Sequence, residues 1–293
     1  MESRASKLIS SSSRMFKGAD YGLGKMSHDF NLATAMPDMQ NTRDERNIAI
    51  DRVGVRNVHY PVRLLDRANE IQHSIGNFTL TVDLPQHFKG THMSRFLEVL
   101  NAHEGEVSVK SLPSILDELR AKLHSERSYL DVDFTYFINK PAPVTGKHGL
   151  MGYQCRFEAA GGVNPDMVIQ VQIPVTTLCP CSKEISAYGA HNQRGYVTVR
   201  VRTSALLWIE EIIECIEKRA SAPLYPLLKR PDEKFVTELA YDNPRFVEDM
   251  VREVALAFDA EGRITWYSIE VENHESIHAH NAYACIERSK LPG

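Results

Sequence analysis

The stretches MVIQVQIPV at residues 167–175 and GYVTVRVRT at residues 195–203 decide the fold class. Apolar and polar residues alternate along both, which is typical of strands with one buried and one exposed face. The polar segment TTLCPCSKEISAYGAHNQR at 176–194 joins them. The sequence therefore predicts that the two strands pair in a sheet, with a functional loop between them.

Outward from this pair, the chain shows the same order of elements in both halves. Further strand patterns lie at 71–84, 129–139, 152–160, 263–271 and 282–287, and the charged stretch at 36–62 alternates more clearly towards Val62. Helix patterns, with apolar residues three and four apart, lie at 91–103, 114–126, 206–218 and 246–258. Each half reads as strand–strand–helix–helix–strand–strand, which predicts an α+β fold with antiparallel sheets and helices on one face.

The domain prediction follows from a seam near residues 160–166, AGGVNPD. We expect a flexible N-terminal arm at 1–35, where Ser, Gly and Lys show little periodicity. A first module is predicted at 36–162 and a second at 163–293. The second module contains most of the candidate metal and substrate residues.

Composition excludes several classes of protein. Of 293 residues, 43% are hydrophobic and 25% charged, and the net charge is −4, so neither a disordered chain nor a nucleic-acid partner is expected. No apolar run reaches the ~18 residues of a membrane helix, and the N-terminus lacks the apolar core of a secretory signal. An odd count of five cysteines favours reduced thiols and a cytoplasmic location.

The densest group of reactive side chains lies at 174–195. Cys179 and Cys181 flank Pro180, and His191 follows just before a strand. A thiolate and an imidazole at the two edges of one loop can converge on a divalent metal. A Cys-rich turn with a surface His explains the spacing equally well. Because side chains one residue apart tend to diverge, only one of the two thiols is expected to be a ligand.

Two carboxylate positions differ from the others. Pro231 opens a predicted helix whose first turn holds Asp232 and Glu233, where negative charge is favourable against the helix dipole. Glu248 is predicted at the boundary between the buried and exposed faces of its helix. It can form an ion pair with Arg252, or it can bind a group with paired N–H donors such as the edge of guanine.

The segment ENHESIHAHNAY at 272–283 holds His274, His278 and His280. In an extended segment, His278 and His280 project from one face and can share acid–base work. The alternative is a solvated loop that is rich in His.

Several motifs in one order resemble GTP cyclohydrolase I of the bacterial type IB family. They are MPDMQNTRDERNIAIDRVGV, GTHMSRF, TTLCPCSKEIS, GAHNQRG and NHESIHAHNAYA, and the resemblance covers about residues 36–288. It implies the tunnelling fold, with two tandem ββααββ modules per chain assembling into a barrel. It also implies homotetramers with active sites at subunit interfaces.

The resemblance further implies a reaction and a metal. GTP and water would give 7,8-dihydroneopterin triphosphate and formate, the first step of tetrahydrofolate biosynthesis. The family's ligands fall on Cys179, His191 and Glu233, which would hold one divalent ion, zinc, manganese or iron. No organic cofactor is implied.

The remaining site residues also come from the resemblance. Glu248 falls on the purine-binding carboxylate, and His278 and His280 fall on active-site histidines that we assign to proton transfer. Cys179 counts as a catalytic residue through its metal. Lys183 is a candidate for the triphosphate.

Two other functions stay open from the sequence. A tunnelling-fold nitrile reductase of the queuosine pathway uses a nucleophilic Cys and a Glu-Ser-Lys motif for NADPH, whereas Glu275-Ser276 here precedes Ile277. A non-catalytic purine- or pterin-binding scaffold is the other alternative. Incubation with GTP and a divalent metal, followed by oxidation and measurement of pterin fluorescence, distinguishes the cyclohydrolase from these two alternatives.

Overall fold

A computed structural model of the chain describes residues 38–103, 106 and 108–290. The predicted N-terminal arm at 1–35 lies outside these residues. No helix in the described ranges is long and apolar enough to cross a membrane.

The described residues of the first half form four strands and two helices. In chain order they are β1 (Ile50–Asp66), β2 (Glu70–Leu84), α1 (Met93–Ala102), α2 (Leu112–Leu123), β3 (Ser128–Pro141) and β4 (His148–Gly161). The strand β1 begins with exposed residues, and only its last part alternates between buried and exposed positions. The sequence consequently showed a clear strand signal only towards its end.

The second half repeats this order with additions. It contains β5 (Asp166–Leu178), α3 (Pro180–Ile185), β6 (Asn192–Thr203), α4 (Ile209–Glu217), β7 (Ala222–Pro223), α5 (Arg230–Asp242), α6 (Val247–Ala260), β8 (Ile264–His274) and β9 (Ala282–Ser289). The additions are the short elements α3 and β7 and the helix α5. Of these, the sequence predicts only α5, because Pro231 is expected to open a helix.

All the strands named above join one antiparallel sheet of nine strands. Its order is β1-β2-β3-β4-β5-β6-β8-β9, with β7 paired to β5. The predicted pairing of the two opening stretches is confirmed, since Val175 lies opposite Gly195 in the β5–β6 ladder. The structure thereby confirms a mixed fold with a large antiparallel sheet.

The hydrophobic core lies between one face of this sheet and the helices. Val171, Val199 and Ile269 are cross-strand partners and are fully buried, as period-two alternation requires. The core is continuous across both halves, which meet where β4 pairs with β5. The predicted module boundary falls in the β4–β5 connection, and the division into two modules stays a prediction.

Four hairpin connections lie at the same end of the sheet. Successive strands of the sheet alternate in direction, and each of these connections joins two neighbouring strands at that end. They are residues 67–69, 142–147, 179–191 and 275–281. We call this end of the sheet, where the four connections lie, the hairpin end. The candidate cluster at 174–195 and the His-rich segment thus lie at the same end of the sheet.

Candidate active site

The two edges of the 179–191 connection are fastened together. The backbone N–H of Cys179 donates to the carbonyl of His191 at 3.1 Å. The hydroxyl of Ser182 donates to the carbonyl of Cys179 at 3.1 Å and accepts from the N–H of His191 at 3.2 Å. The thiol-bearing and imidazole-bearing ends of the loop are therefore neighbours, as the sequence predicted.

The local sequence explains how the two thiols differ. Pro180 starts α3, so Cys179 occupies its N-cap in an extended conformation and its Sγ accepts from the N–H of Ser182 at 3.5 Å. Cys181 lies inside α3 and is exposed. All five cysteines lie in the described ranges, and none forms a disulfide there.

The imidazole of His191 is held through one nitrogen. Its Nδ1 lies 3.0 Å from Oε1 of Gln193, 3.3 Å from Oγ of Ser276 and 4.0 Å from Oε2 of Glu275. The amide and carboxylate oxygens accept hydrogen bonds, so they favour a proton on Nδ1 and leave the lone pair of Nε2 open. Histidines that bind metals commonly show this arrangement, so His191 fits the role of a ligand.

The 275–281 connection brings two more histidines to His191. The ring centroid of His278 lies 6.3 Å from that of His191 and 5.2 Å from that of His280. Nδ1 of His278 lies 3.4 Å from Oε2 of Glu275, whose side chain is only 11% exposed. The segment bends instead of extending, yet His278 and His280 are adjacent, as expected from their spacing.

The third predicted metal ligand lies apart from the other two. Glu233 is exposed in the first turn of α5. The contact of α5 with the 179–191 connection is at its other end, where Lys183 donates to the carbonyl of Tyr241. Eight residues at the helical rise of ~1.5 Å separate Glu233 from Tyr241 by about 12 Å along the axis.

The structure brings two of the three predicted ligands, Cys179 and His191, to adjacent ends of one connection. Within the described ranges, no three His, Cys, Asp or Glu side chains are close enough to hold a metal ion together. The assignment of Cys179, His191 and Glu233 as metal ligands stays a prediction. The donors themselves, sulfur, nitrogen and oxygen, suit zinc, manganese or iron.

Asp232, the neighbour of Glu233, has a structural role. Its carboxylate is fully buried and accepts from the N–H groups of Val144, Thr145 and Lys229 at 2.8–2.9 Å. It therefore fastens the 142–147 connection to the start of α5.

Glu248 departs from its predicted burial. The sequence placed it at the boundary of the buried face, but the structure shows it exposed. Val247, Met250 and Val251 face the sheet instead. The expected ion pair with Arg252 is absent from the described part of the chain. The start of α6 nevertheless lies beside the site, because the N–H of Arg245 donates to the carbonyl of Leu178 at 3.0 Å.

Lys183 is engaged within the chain. Its Nζ lies 2.5 Å from the carbonyl oxygen of Tyr241 and 4.3 Å from the centroid of that ring. Its assignment to the triphosphate stays a prediction.

The sequence interpretation missed four polar residues that support the histidines. They are Ser182, Gln193, Glu275 and Ser276. The sequence does carry a signal for Gln193. It lies four residues before the buried Val197, and since alternate side chains of a strand share a face, its polar side chain points to the buried face of β6. Serines and a glutamate in a polar loop give no comparable signal.

Comparison with known proteins identifies the family. The model of the family described as type I GTP cyclohydrolase FolE2 matches residues 36–284. GTP cyclohydrolase FolE2 of Geobacter sulfurreducens is 52% identical over 255 residues, covering 87% of this chain and 99% of the relative. The same enzyme of Kosmotoga olearia is 53% identical over 255 residues, with 87% and 99% covered.

This chain belongs to the type I GTP cyclohydrolase FolE2 family. The resemblance found in the sequence is confirmed at this level. All five motifs that carried it begin within the matched region, and the last, NHESIHAHNAYA, ends at its boundary.

The FolE2 chain also shares its fold with a solved structure. A uricase from Bacillus fastidious superposes with a TM-score of 0.53 at 8% identity, covering 82% of this chain and 94% of that chain. At this identity the likeness concerns the fold alone.

Proposed function

We propose that this GTP cyclohydrolase acts on GTP at the cluster formed by the 179–191 and 275–281 connections. Family membership gives the activity, that of a GTP cyclohydrolase in folate biosynthesis. One observation carries the location. His191 contacts Ser276 and lies beside Glu275 and His278, so the structure gathers ionisable side chains that are remote in sequence.

The proposed reaction is hydrolysis of GTP to 7,8-dihydroneopterin triphosphate and formate. Cys179 and His191 would hold one divalent ion, and Glu233 would complete the set once the start of α5 approaches the 179–191 connection; three protein ligands leave a position open for water. Bound there, the ion supplies a water of lowered pKa for attack on guanine C8. No organic cofactor is needed for this chemistry.

His278 and His280 are proposed to transfer protons during ring opening and formate loss. The carboxylate of Glu275 accepts hydrogen bonds, so it holds the proton of His278 on Nδ1 and leaves Nε2 free to exchange a proton with substrate. His280, 5.2 Å from His278 between ring centroids, is within reach of the same leaving group.

Glu248 and Lys183 are proposed to bind the two ends of GTP. A carboxylate can accept from both the amide and the amine of guanine, and Glu248 is exposed at the start of α6 beside the site. Lys183 lies in α3, four residues after Cys179. Binding of a phosphate by its ammonium would replace the contact with Tyr241.

The proposed assembly is a homotetramer of the type IB tunnelling fold, with interface active sites. In the described sheet, β1 and β9 have no strand on their outer edges, where β1 makes only an isolated bridge from Arg63 to Glu106, and closure with another subunit would satisfy these edges. Glu233, Glu248 and His280 are exposed in the single chain, whereas hydrolysis of this kind favours a site closed from bulk water. The free thiols suit a cytoplasmic enzyme.

The other two functions are less well supported. Glu275 and Ser276, the nearest match to a nitrile-reductase motif, face His191 and His278 instead. A non-catalytic scaffold would bind GTP without product.

The test is direct: incubate the protein with GTP and zinc or manganese, oxidise, and measure pterin fluorescence. Fluorescence that depends on enzyme and metal supports the proposal. Binding of GTP with no pterin at any metal concentration would contradict it.

A further inference from the structure

Gln193 has an unusual position for a polar residue. It lies in β6 directly opposite Thr177, and its side chain is on the buried face of the sheet with the residue only 8% exposed. Two residues further along β6, Gly195 lies opposite Val175, which is fully buried. A polar amide at the end of this apolar row loses contact with water, so its groups need partners within the protein.

The partner of Gln193 is the imidazole of His191. Oε1 of Gln193 is 3.0 Å from Nδ1 of His191, the shortest contact that this nitrogen makes. The other two neighbours of Nδ1, Ser276 and Glu275, are at 3.3 and 4.0 Å. Gln193 is fixed in a strand, whereas Ser276 and Glu275 belong to the bent 275–281 connection.

The two nitrogens of a neutral imidazole have different chemistry. One bears the proton and the other bears the lone pair that binds a metal. An amide oxygen at Nδ1 accepts a hydrogen bond, so it stabilises the tautomer with the proton on Nδ1. That tautomer presents the lone pair of Nε2 away from the strand.

We propose that Gln193 is a positioning residue that fixes the Nδ1–H tautomer and the ring orientation of His191 for metal binding. The inference rests on the proposed function of His191 as a ligand. It gives a role to Gln193, which lies in the motif GAHNQRG but for which the sequence alone predicts no function. Loss of such a partner typically lowers metal affinity by about 10–100-fold.

The experiment compares three variants of the full-length protein. Gln193→Met keeps the volume and removes the acceptor, and Gln193→Glu keeps an acceptor oxygen. Gln172→Met is the matched control, because Gln172 is a partly buried glutamine of β5 that bonds Thr198 in mid-strand. Zinc affinity is measured by competition with a chelator. The tautomer of His191 is read from ¹H–¹⁵N correlations of the metal-free protein labelled at histidine, because zinc on Nε2 would by itself force the proton onto Nδ1.

In the wild type, we expect the ring proton of His191 on Nδ1. Gln193→Met should weaken zinc binding by about 10–100-fold and broaden or lose that proton signal. Gln193→Glu and Gln172→Met should remain within about threefold of wild type. A proton on Nε2 in the wild type, or unchanged zinc affinity in a folded Gln193→Met, would overturn the proposal.

The readouts separate this inference from the proposed function. If wild type makes pterin and Gln193→Met binds zinc normally, only the role of Gln193 fails. If wild type binds no zinc and makes no pterin, the metal site fails first, and this inference fails with it.

Discussion

The two halves of the chain share one order of elements but differ at their hairpin connections. In the first half, residues 67–69 form a tight turn, where the carboxylate of Asp66 accepts from the N–H groups of Ala68 and Asn69 at 2.8 Å. In the second half, residues 179–191 form a longer connection that holds α3, Cys179 and His191. The strands on either side are antiparallel neighbours in both halves, although the β1–β2 ladder has two register shifts and the β5–β6 ladder has none.

The second pair of connections repeats this contrast. Residues 142–147 close through a bond from the N–H of Ala142 to the carbonyl of Lys147 and are fastened to α5 by Asp232. Residues 275–281 instead present Glu275, His278 and His280 to His191. One half thus uses its connections to hold the sheet, and the other is proposed to use them for chemistry, as loops on a rigid scaffold commonly do.

Removal of the thiol at the start of the 179–191 connection should have the largest effect. Cys179→Ala should lower turnover by about three orders of magnitude or more, because water without metal assistance has a pKa of about 15.7. Cys181→Ala is the control, since Cys181 is exposed in α3, and it should keep most activity. Pterin formation and bound metal check both. Equal loss of metal in the two folded variants would refute the assignment.

Loss of an imidazole in the 275–281 connection should rank next. His278→Ala should lower kcat by about 10²–10⁴-fold, the usual contribution of a general acid or base, with metal content unchanged. His274→Ala is the matched control, because that ring lies 5.0 Å from Tyr196, at the end of β8. Similar kinetics for the two variants would indicate that the His-rich segment is a solvated loop without a catalytic role.

A change at Glu248 tests whether the start of α6 belongs to the site. Glu248→Gln replaces one of two acceptor oxygens with a donor, which costs ~1–3 kcal/mol against the N–H groups of guanine. GTP affinity and turnover should fall about tenfold per 1.4 kcal/mol. Glu238→Gln, an exposed residue paired with Lys234, should change neither. Wild-type kinetics in Glu248→Gln would remove Glu248 from substrate binding.

The smallest effect on turnover is expected in the first-half connection. Burial opposes ionisation of Asp232, but hydrogen bonds from Thr145, Lys229 and Val144 outweigh it and lower its pKa well below the ordinary value of 3.8. Asp232→Asn should lower Tm by about 4 °C and leave metal content and kcat at wild-type values. Its neighbour Glu233 is expected to behave in the opposite way: Glu233→Gln should lose metal and turnover but keep the Tm of the metal-free protein, since bound metal itself stabilises the fold.

The pH dependence of Asp232 follows from the same shift. A carboxyl with a lowered folded-state pKa stabilises the fold above its unfolded pKa of about 3.9 and loses this contribution as pH falls further. The wild type should therefore lose stability below about pH 4 more steeply than Asp232→Asn. Parallel curves of Tm against pH would show that the carboxylate does not hold the connection.

The sequence predicts more of the fold than of the site, for physical reasons. Strands such as β5 and β6 alternate because one face is buried, and α6 has its apolar stripe for the same reason. The strand β1 starts with exposed positions, so half of it lacks the pattern. α3 and β7 are too short to show any period.

The site depends on contacts between distant residues, which periodicity does not encode. Residues 275–281 meet His191 only because β8 pairs with β6. The position of Glu248 on a helical wheel predicts that it lies at the boundary between the buried and exposed faces of α6. In the structure the buried face is that of Val247 and Val251, and Glu248 is exposed. Gln193 and Glu275 are ordinary polar residues until their partner is known.

The most direct test of the central claim is a crystal structure of the zinc-loaded protein with a guanine nucleotide that is not hydrolysed. The claim is that the second-half connections at the hairpin end form the active site. Anomalous scattering should place zinc on Cys179 and His191, with the guanine base between Glu248 and His278. Zinc or base bound instead at the 67–69 or 142–147 connections would contradict it.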